Sequence, residues 1–181
     1  SQPRRMLENR CRILAAAARV YAQFGFRGAT TRRIAHEAGV NEVTLFRTFG
    51  SKRALIEAAL RHAGDAAAVP HVLPAVPVDP ERELVDWATR HLAELQARRA
   101  LIRQSMSELE ERSELAPCCV AGWSAADAML QDYLARLAEV GFVDPVAAPD
   151  LFAAGSMLMS ALFSDAMGRE LMPGLYPQPA E

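Results

Sequence analysis

The chain has 181 residues, 51% of them apolar and 23% charged, a balance that excludes a disordered chain and suits one folded core or two small ones. No apolar run reaches the roughly 18 residues that cross a bilayer, and the charged start Ser1-Gln2-Pro3-Arg4-Arg5 is not that of a secretory signal, so no membrane partner and a cytoplasmic location are expected. The net charge of −2 hides a division: residues 1–65 carry twelve basic and five acidic side chains, a balance of +7, whereas the rest carries eight and seventeen, a balance of −9. A basic front half on an acidic body is what a polyanion-binding segment looks like, although a solvated helix face has the same composition. Nineteen of the twenty basic residues are Arg, and Lys52 is the lone Lys. Cys11, Cys118 and Cys119 are odd in number and two are adjacent, which argues for reduced, buried thiols and against a disulfide framework.

Strand alternation is nearly absent and helical periodicity runs throughout, so the chain is expected to be all-α. Helix one should run from Pro3 to Phe24, with Ile13, Leu14, Ala17, Val20, Tyr21 and Phe24 in one apolar stripe and Gly25 ending it. Thr30 caps a second helix, Thr31 to about Ala38, with Ile34, Ala35 and Ala38 inward and Gly39 closing it. Asn41 caps a short third helix, Glu42 to Phe49, with Gly50 as its stop. Ser51 caps a fourth, from Lys52 to about Gly64, with Leu55, Ala59 and Leu60 on its inner face. Pro70, Pro74, Pro77 and Pro80 then mark a semi-rigid connector. Asp79-Pro80 restarts a helix that runs to about Ala97, followed by helix six from about Arg99 to Arg112. Pro117 opens helix seven, which lasts until Gly141, and helix eight spans from near Pro149 to near Gly168. The tail with Pro173, Pro177 and Pro179 should be loose. The expected domains are 1–50, the connecting helix 51–65, a Pro-rich linker 66–80, and a helical domain 81–181.

Thr31 to Phe49 is the informative stretch. Two short helices are joined by Gly39-Val40-Asn41, with a small residue, Ala35, four positions before Gly39. That spacing lets the helices approach closely while Val40 fills the gap, as in a helix-turn-helix whose second helix enters the major groove N-terminus first. A plain αα-hairpin has the same spacing.

Gly25-Phe26, Thr30-Thr31, Ile34-Ala35, Ala38-Gly39-Val40, Thr44-Leu45-Phe46, Phe49 and Ser51-Lys52-x-x-Leu55 resemble the DNA-binding signature of the tetracycline-repressor-like (TetR) family, over about fifty consecutive residues. The resemblance implies an N-terminal three-helix helix-turn-helix domain followed by a C-terminal helical domain for ligand binding and dimerisation. By the same resemblance, Thr30 and Thr31 would offer hydroxyl and backbone N–H groups to a phosphate, and Arg32 would reach a base edge or a second phosphate. Asn41, Glu42, Val43 and Thr44 would lead into the groove, with Val43 on a thymine methyl and Glu42 accepting from cytosine N4. Arg47 is the candidate for guanine or a phosphate clamp, and Lys52 stands where the family places a phosphate-binding lysine. Two departures stand out. Phe46 replaces the family's usual Tyr and loses a phosphate donor, and Thr48 stands where His is frequent.

Helix eight, from Leu151 to Phe163, is apolar on nearly every face and so needs partners on two sides. A homodimer through helices seven and eight is expected, with Leu151, Ala154, Gly155, Leu158 and Leu162 at the interface. Leu84, Trp87, His91 and Leu95 share a face of helix five. With Ile102 and Met106 of helix six and Trp123 and Met129 of helix seven, they would suit an unidentified, mostly apolar effector with one polar group, and equally an ordinary core. His36, His62, His71 and His91 have no metal-ligand spacing, no phosphate loop or Gly-x-Ser-x-Gly elbow is present, and neither a cofactor nor an enzymatic role is expected. The expectation is a repressor released from a palindromic double-stranded operator by a ligand. A ligand-independent DNA-binding protein of the same fold is the alternative.

Overall fold

The computed structural model describes residues 2–68, 72–144 and 148–176, and all regular structure among them is helical. The helices are α1 (Gln2–Gly28), α2 (Thr31–Ala38), α3 (Glu42–Phe49), α4 (Lys52–Ala68), α5 (Pro80–Ala97), α6 (Arg99–Glu108), α7 (Ala116–Glu139) and α8 (Ala148–Gly168). They form two compact units: residues 1–66 with 100–122, and residues 67–99 with 123–181. All but the first residue of the connector expected at 66–80 therefore falls in the second unit, whereas α6 with the opening of α7 clusters with the first.

The short helices are defined by their caps. Thr30 takes an extended conformation, and its side chain accepts from Arg33 N; Gly39, at φ 63, is left-handed and returns its N–H to α2. Asn41 caps α3 by accepting from Val43 N at 2.9 Å, and the Ser51 hydroxyl accepts from Ala54 N at 3.1 Å at the start of α4. The longer helices depart from expectation where tertiary contacts intervene. α4 continues through its alanines to Ala68. α6 stops at Glu108 rather than Arg112, and a 3₁₀ turn, Ser113–Leu115, precedes α7. That turn buries Leu115 in the first core, which a continued α6 would carry past it.

In the first core, Ile13, Leu14, Ala16, Ala17, Val20 and Tyr21 of α1 meet Ile34, Ala35 and Ala38 of α2, Leu45 of α3, and Leu55, Ile56, Ala59 and Leu60 of α4. Phe24, expected in the α1 stripe, is instead 42% exposed. The Arg33 guanidinium lies over its ring at 4.0 Å, so the ring is used as a cation platform. Cys118 is buried but Cys11 is exposed on α1, against the expectation of a buried thiol, because position 11 falls on the outer side of the stripe. The side chain of Cys119 lies outside the described residues. Gly64 and Gly122 let α4 and α7 meet backbone to backbone: a Cβ on Gly122 would sit 3.2 Å from the Gly64 Cα.

The second core gathers Leu73, Trp87, Ala126, Leu130, Tyr133, Leu134, Leu137 and Met159. Leu73 thus anchors the Pro-rich connector. The Tyr133 hydroxyl donates to Glu83 Oε2, while Glu83 Oε1 accepts from the N–H groups of Val78 and Asp79. These bonds, the Tyr133 bond first, hold the Glu83 carboxyl below its ordinary value. The tail is tied rather than loose as far as Tyr176: Pro173–Leu175 form a 3₁₀ turn, and the Tyr176 hydroxyl donates to the Ser164 carbonyl at 2.9 Å. Pro177 and Pro179 lie outside the described residues.

Gly25 interrupts α1 at φ 65, ψ −179, a region closed to residues with a Cβ. Gly25→Ala should lower stability by about 1–3 kcal/mol, seen as a lower urea midpoint at unchanged slope. The Glu83 carboxylate contributes stability that is full above its ordinary pKa of 4.5 and lost as pH falls through its lower folded value. In Tyr133→Phe the folded value should return toward the ordinary one, so the unfolding midpoint should fall less steeply on acidification than in the unaltered protein.

Candidate nucleic-acid interface

The first unit presents α2 and α3 as a helix-turn-helix. Leu45 is buried and Phe49 half-buried against the same core, which fixes α3 by its inner face. Its outer face is open: Val43 is 70% and Phe46 49% exposed, and Asn41, Arg47 and Thr48 are exposed too. Thr30 and Arg32 are exposed beside them, and Thr31, Glu42 and Thr44 are half-buried. None of the eleven residues expected to meet DNA is buried. Thr48 Oγ1 donates to the Thr44 carbonyl at 2.7 Å, the bond a helix interior gives a hydroxyl, so it does not replace the missing histidine as an outward donor. Thr31 Oγ1 donates to Glu42 Oε1 at 2.5 Å, so its hydroxyl is directed to a side chain and not outward. Among the described residues, neither Arg32 nor Arg47 forms an ion pair, whereas Arg19 is taken by Glu37 and both Arg53 and Arg61 by Glu57.

Lys52 is held differently from the rest. Its Nζ donates to the Arg27 carbonyl at 3.3 Å and lies 4.6 Å from the centroid of the Phe26 ring. The Arg112 guanidinium stands 3.9 Å from the same centroid. Burial first, and then Arg112, push the Lys52 pKa down, with Glu108 opposing them. Glu108 Oε1 accepts from Phe26 N at 2.8 Å and from Gln104 Nε2 at 3.0 Å. The ammonium thus sits at the mouth of α4 in a cluster of Phe26, Arg27, Glu108 and Arg112. Sequence reasoning did not bring Phe26, Glu108 and Arg112 to Lys52, because these partners come from α1, some 25 positions before it, and from α6 and the turn after it, more than fifty positions beyond. The same holds for Arg10, which lies over the Phe49 ring at 4.8 Å.

In the second unit, the structure brings together Leu84, Trp87, Trp123 and Met129 in one core. His91 is buried and stacked on Trp87, with ring centroids 5.1 Å apart and planes at 9°. Leu95 is buried on the same helix, whereas Ile102 and Met106 belong to the first unit and Met106 is exposed. On α8, Gly155 is buried against α7, where an added Cβ would lie 2.6 Å from Leu134 Cδ1. Leu151, Leu158 and Leu162 pack on the second core of their own chain. Of the five residues expected at a subunit interface, Ala154 alone is exposed. The open face of α8 instead carries Phe152, Ala153, Met157, Ser160 and Ala161. Helical angle around α8 distinguishes the two sets, a signal that overall hydrophobicity conceals.

Residues 13–59 match the family model described as bacterial regulatory proteins, tetR family. The chain is 31% identical over 133 residues to YvkB of Bacillus subtilis, termed an uncharacterized HTH-type transcriptional regulator, covering 73% of this chain and 69% of that protein. A protein from Mesorhizobium loti assigned to the TetR-family transcriptional regulators has a crystal structure alike at a TM-score of 0.73, with 20% identity over 89% of this chain and 84% of that one. The fatty acid degradation regulator FadR from Bacillus halodurans follows at a TM-score of 0.66, with 21% identity over 92% and 86%. At these identities the two structures establish the shared fold.

Proposed function

The chain belongs to the TetR family of bacterial regulatory proteins, DNA-binding transcriptional regulators rather than enzymes, and from that premise we propose that it is a cytoplasmic homodimeric repressor released from a palindromic operator by a small, mostly apolar ligand. The observation that carries the DNA-binding part is the open face of α3, with Val43 and Arg47 exposed and Arg47 outside any ion pair among the described residues. Arg47 takes a guanine edge or a phosphate, Val43 a thymine methyl, and Asn41 and Thr44 flank them at the leading end. Phosphate contacts come from Thr30, Arg32 and the free N–H groups that open α2. Lys52 adds positive charge at the start of α4. Phe46 contributes ring contact without a hydrogen bond.

The dimer reading is supported by α8. It is apolar, yet Met157 is 72% exposed and Phe152, Ala153 and Ala161 lie open beside it. A second copy covering this face completes a four-helix bundle of α7 and α8 pairs. Two-fold pairing also places two recognition helices about 34 Å apart, one turn of duplex. Leu84, Trp87, His91, Leu95, Trp123 and Met129 are the proposed ligand contacts, an aromatic and thioether lining with one imidazole. Release is supported by Glu108 of α6, which grips the Phe26 N–H just ahead of the helix-turn-helix. A displaced α6 therefore pulls on the segment that positions α2. Coupling of this kind is typically worth about 1–3 kcal/mol.

Operator binding followed by fluorescence anisotropy across a salt series tests the DNA surface. Lys52→Ala should weaken binding to all sequences alike and flatten the log–log salt slope by about one unit, whereas Arg47→Ala should also relax the base preference. Unchanged binding in both would remove the assignment. Met157→Glu should give a monomer in sedimentation velocity at concentrations where the unaltered protein is dimeric, and should weaken binding to a full palindrome far more than binding to a half-site.

A further inference from the structure

A side-chain hydrogen bond joins the first turns of the two helices of the helix-turn-helix: Thr31, the first residue of α2, donates to Glu42, the first residue of α3. We propose that the two act as a unit that reads cytosine in each half-site, Glu42 accepting from the base's amino group and Thr31 aiming it. The proposal rests on the DNA-binding reading above and adds a specificity element to it.

The chemistry of the two side chains leads to that base. An ionised carboxylate only accepts, and it has about four lone-pair sites. Thr31 occupies one on Oε1, which leaves Oε2 for a partner. Glu42 is half-buried and bonded to Thr31, whose neighbour Arg32 is exposed, and it is flanked in sequence by the exposed Asn41 and Val43 at the start of α3, the end that would enter the groove. The donors that a major groove offers there are cytosine N4 and adenine N6. Adenine sets its N7 acceptor beside N6, which an amide satisfies and a carboxylate repels. Glutamate therefore selects cytosine, and glutamine in its place would select adenine.

The bond to Thr31 supplies what an isolated glutamate lacks. A free side chain of this length would swing away from the phosphates and lose rotamer freedom on binding. Held by Thr31, the carboxylate is ordered before DNA arrives, so the cost of ordering it is not met at the interface. The negative ends of this arrangement are also placed well, because both residues sit at helix N-termini, where the backbone favours an anion. Thr31 is then a positioning residue, and the phosphate contact falls to Thr30. Its Oγ1 accepts from Arg33 N and keeps its proton to donate.

Selection of duplexes from a random pool, at one salt concentration and with sequencing of the retained fragments, tests the pair. The unaltered protein should enrich cytosine at one position of each half-site, and Glu42→Gln should enrich adenine at that position while the others stay the same. Thr31→Val should keep the remaining consensus but reduce the cytosine preference by about 5-fold or more, within the 5- to 150-fold that one well-made base contact supplies. Thr31→Ser, which retains the hydroxyl, should restore it. The proposal is overturned if Glu42→Gln enriches the same base as the unaltered protein at every position, or if Thr31→Val lowers the thermal midpoint and leaves base preference intact. Enrichment of a sequence indifferent to all three substitutions sinks this inference alone, whereas no enrichment by the unaltered protein sinks the DNA-binding reading with it.

Discussion

The hydrogen bond from the Phe26 backbone to the Glu108 carboxylate governs how the first unit is assembled. Gly25 kinks α1 through a conformation open to glycine, and the next N–H finds its acceptor on α6. That contact holds the last turn of α1, just ahead of the Thr30 cap of α2. It also explains the ring of charge around Phe26. One carboxylate faces two cations, Lys52 and Arg112, that share a single aromatic surface. Two like charges on one ring are tolerable because Glu108 lies among them and because the ring's negative face attracts both.

The division of charge along the chain acquires a structural meaning from this arrangement. Several arginines of the first unit are spent on acidic neighbours: Arg19 on Glu37, Arg53 and Arg61 on Glu57. Exposed pairs of this kind add little stability. Arg32 and Arg47 stand outside such pairs among the described residues. The pattern of pairing, rather than total charge, separates those arginines from Arg32 and Arg47.

Local chemistry was legible and distant chemistry was not. The limits of α2 and α3 followed from Thr30, Gly39, Asn41 and Gly50, because a cap acts within a few residues of itself. The surface that carries Val43 and Arg47 was legible for the same reason: helical angle sets which side chains oppose Leu45. The end of α6 was not, since it depends on burying Leu115 in a core built mainly by the first sixty residues. Phe24 was misplaced because its cation, Arg33, lies on another helix. The partners of Lys52 and the Thr31–Glu42 bond were hidden likewise, since each joins different helices or the turns beside them. On α8, composition pointed to an apolar helix in need of partners, but it did not separate Leu151, Leu158 and Leu162, which pack on their own core, from Met157 and its open neighbours.

The meeting of Gly64 and Gly122 has a mechanical side. Helices separated by leucines are cushioned, since a small sideways shift is taken up by rotamer hops before the neighbouring axis moves. Here nothing lies between the two backbones that could yield. The crossing therefore behaves as a stiff bearing: a push on the opening turns of α7 arrives at α4 undiminished, and α4 is the rod whose other end begins at Lys52.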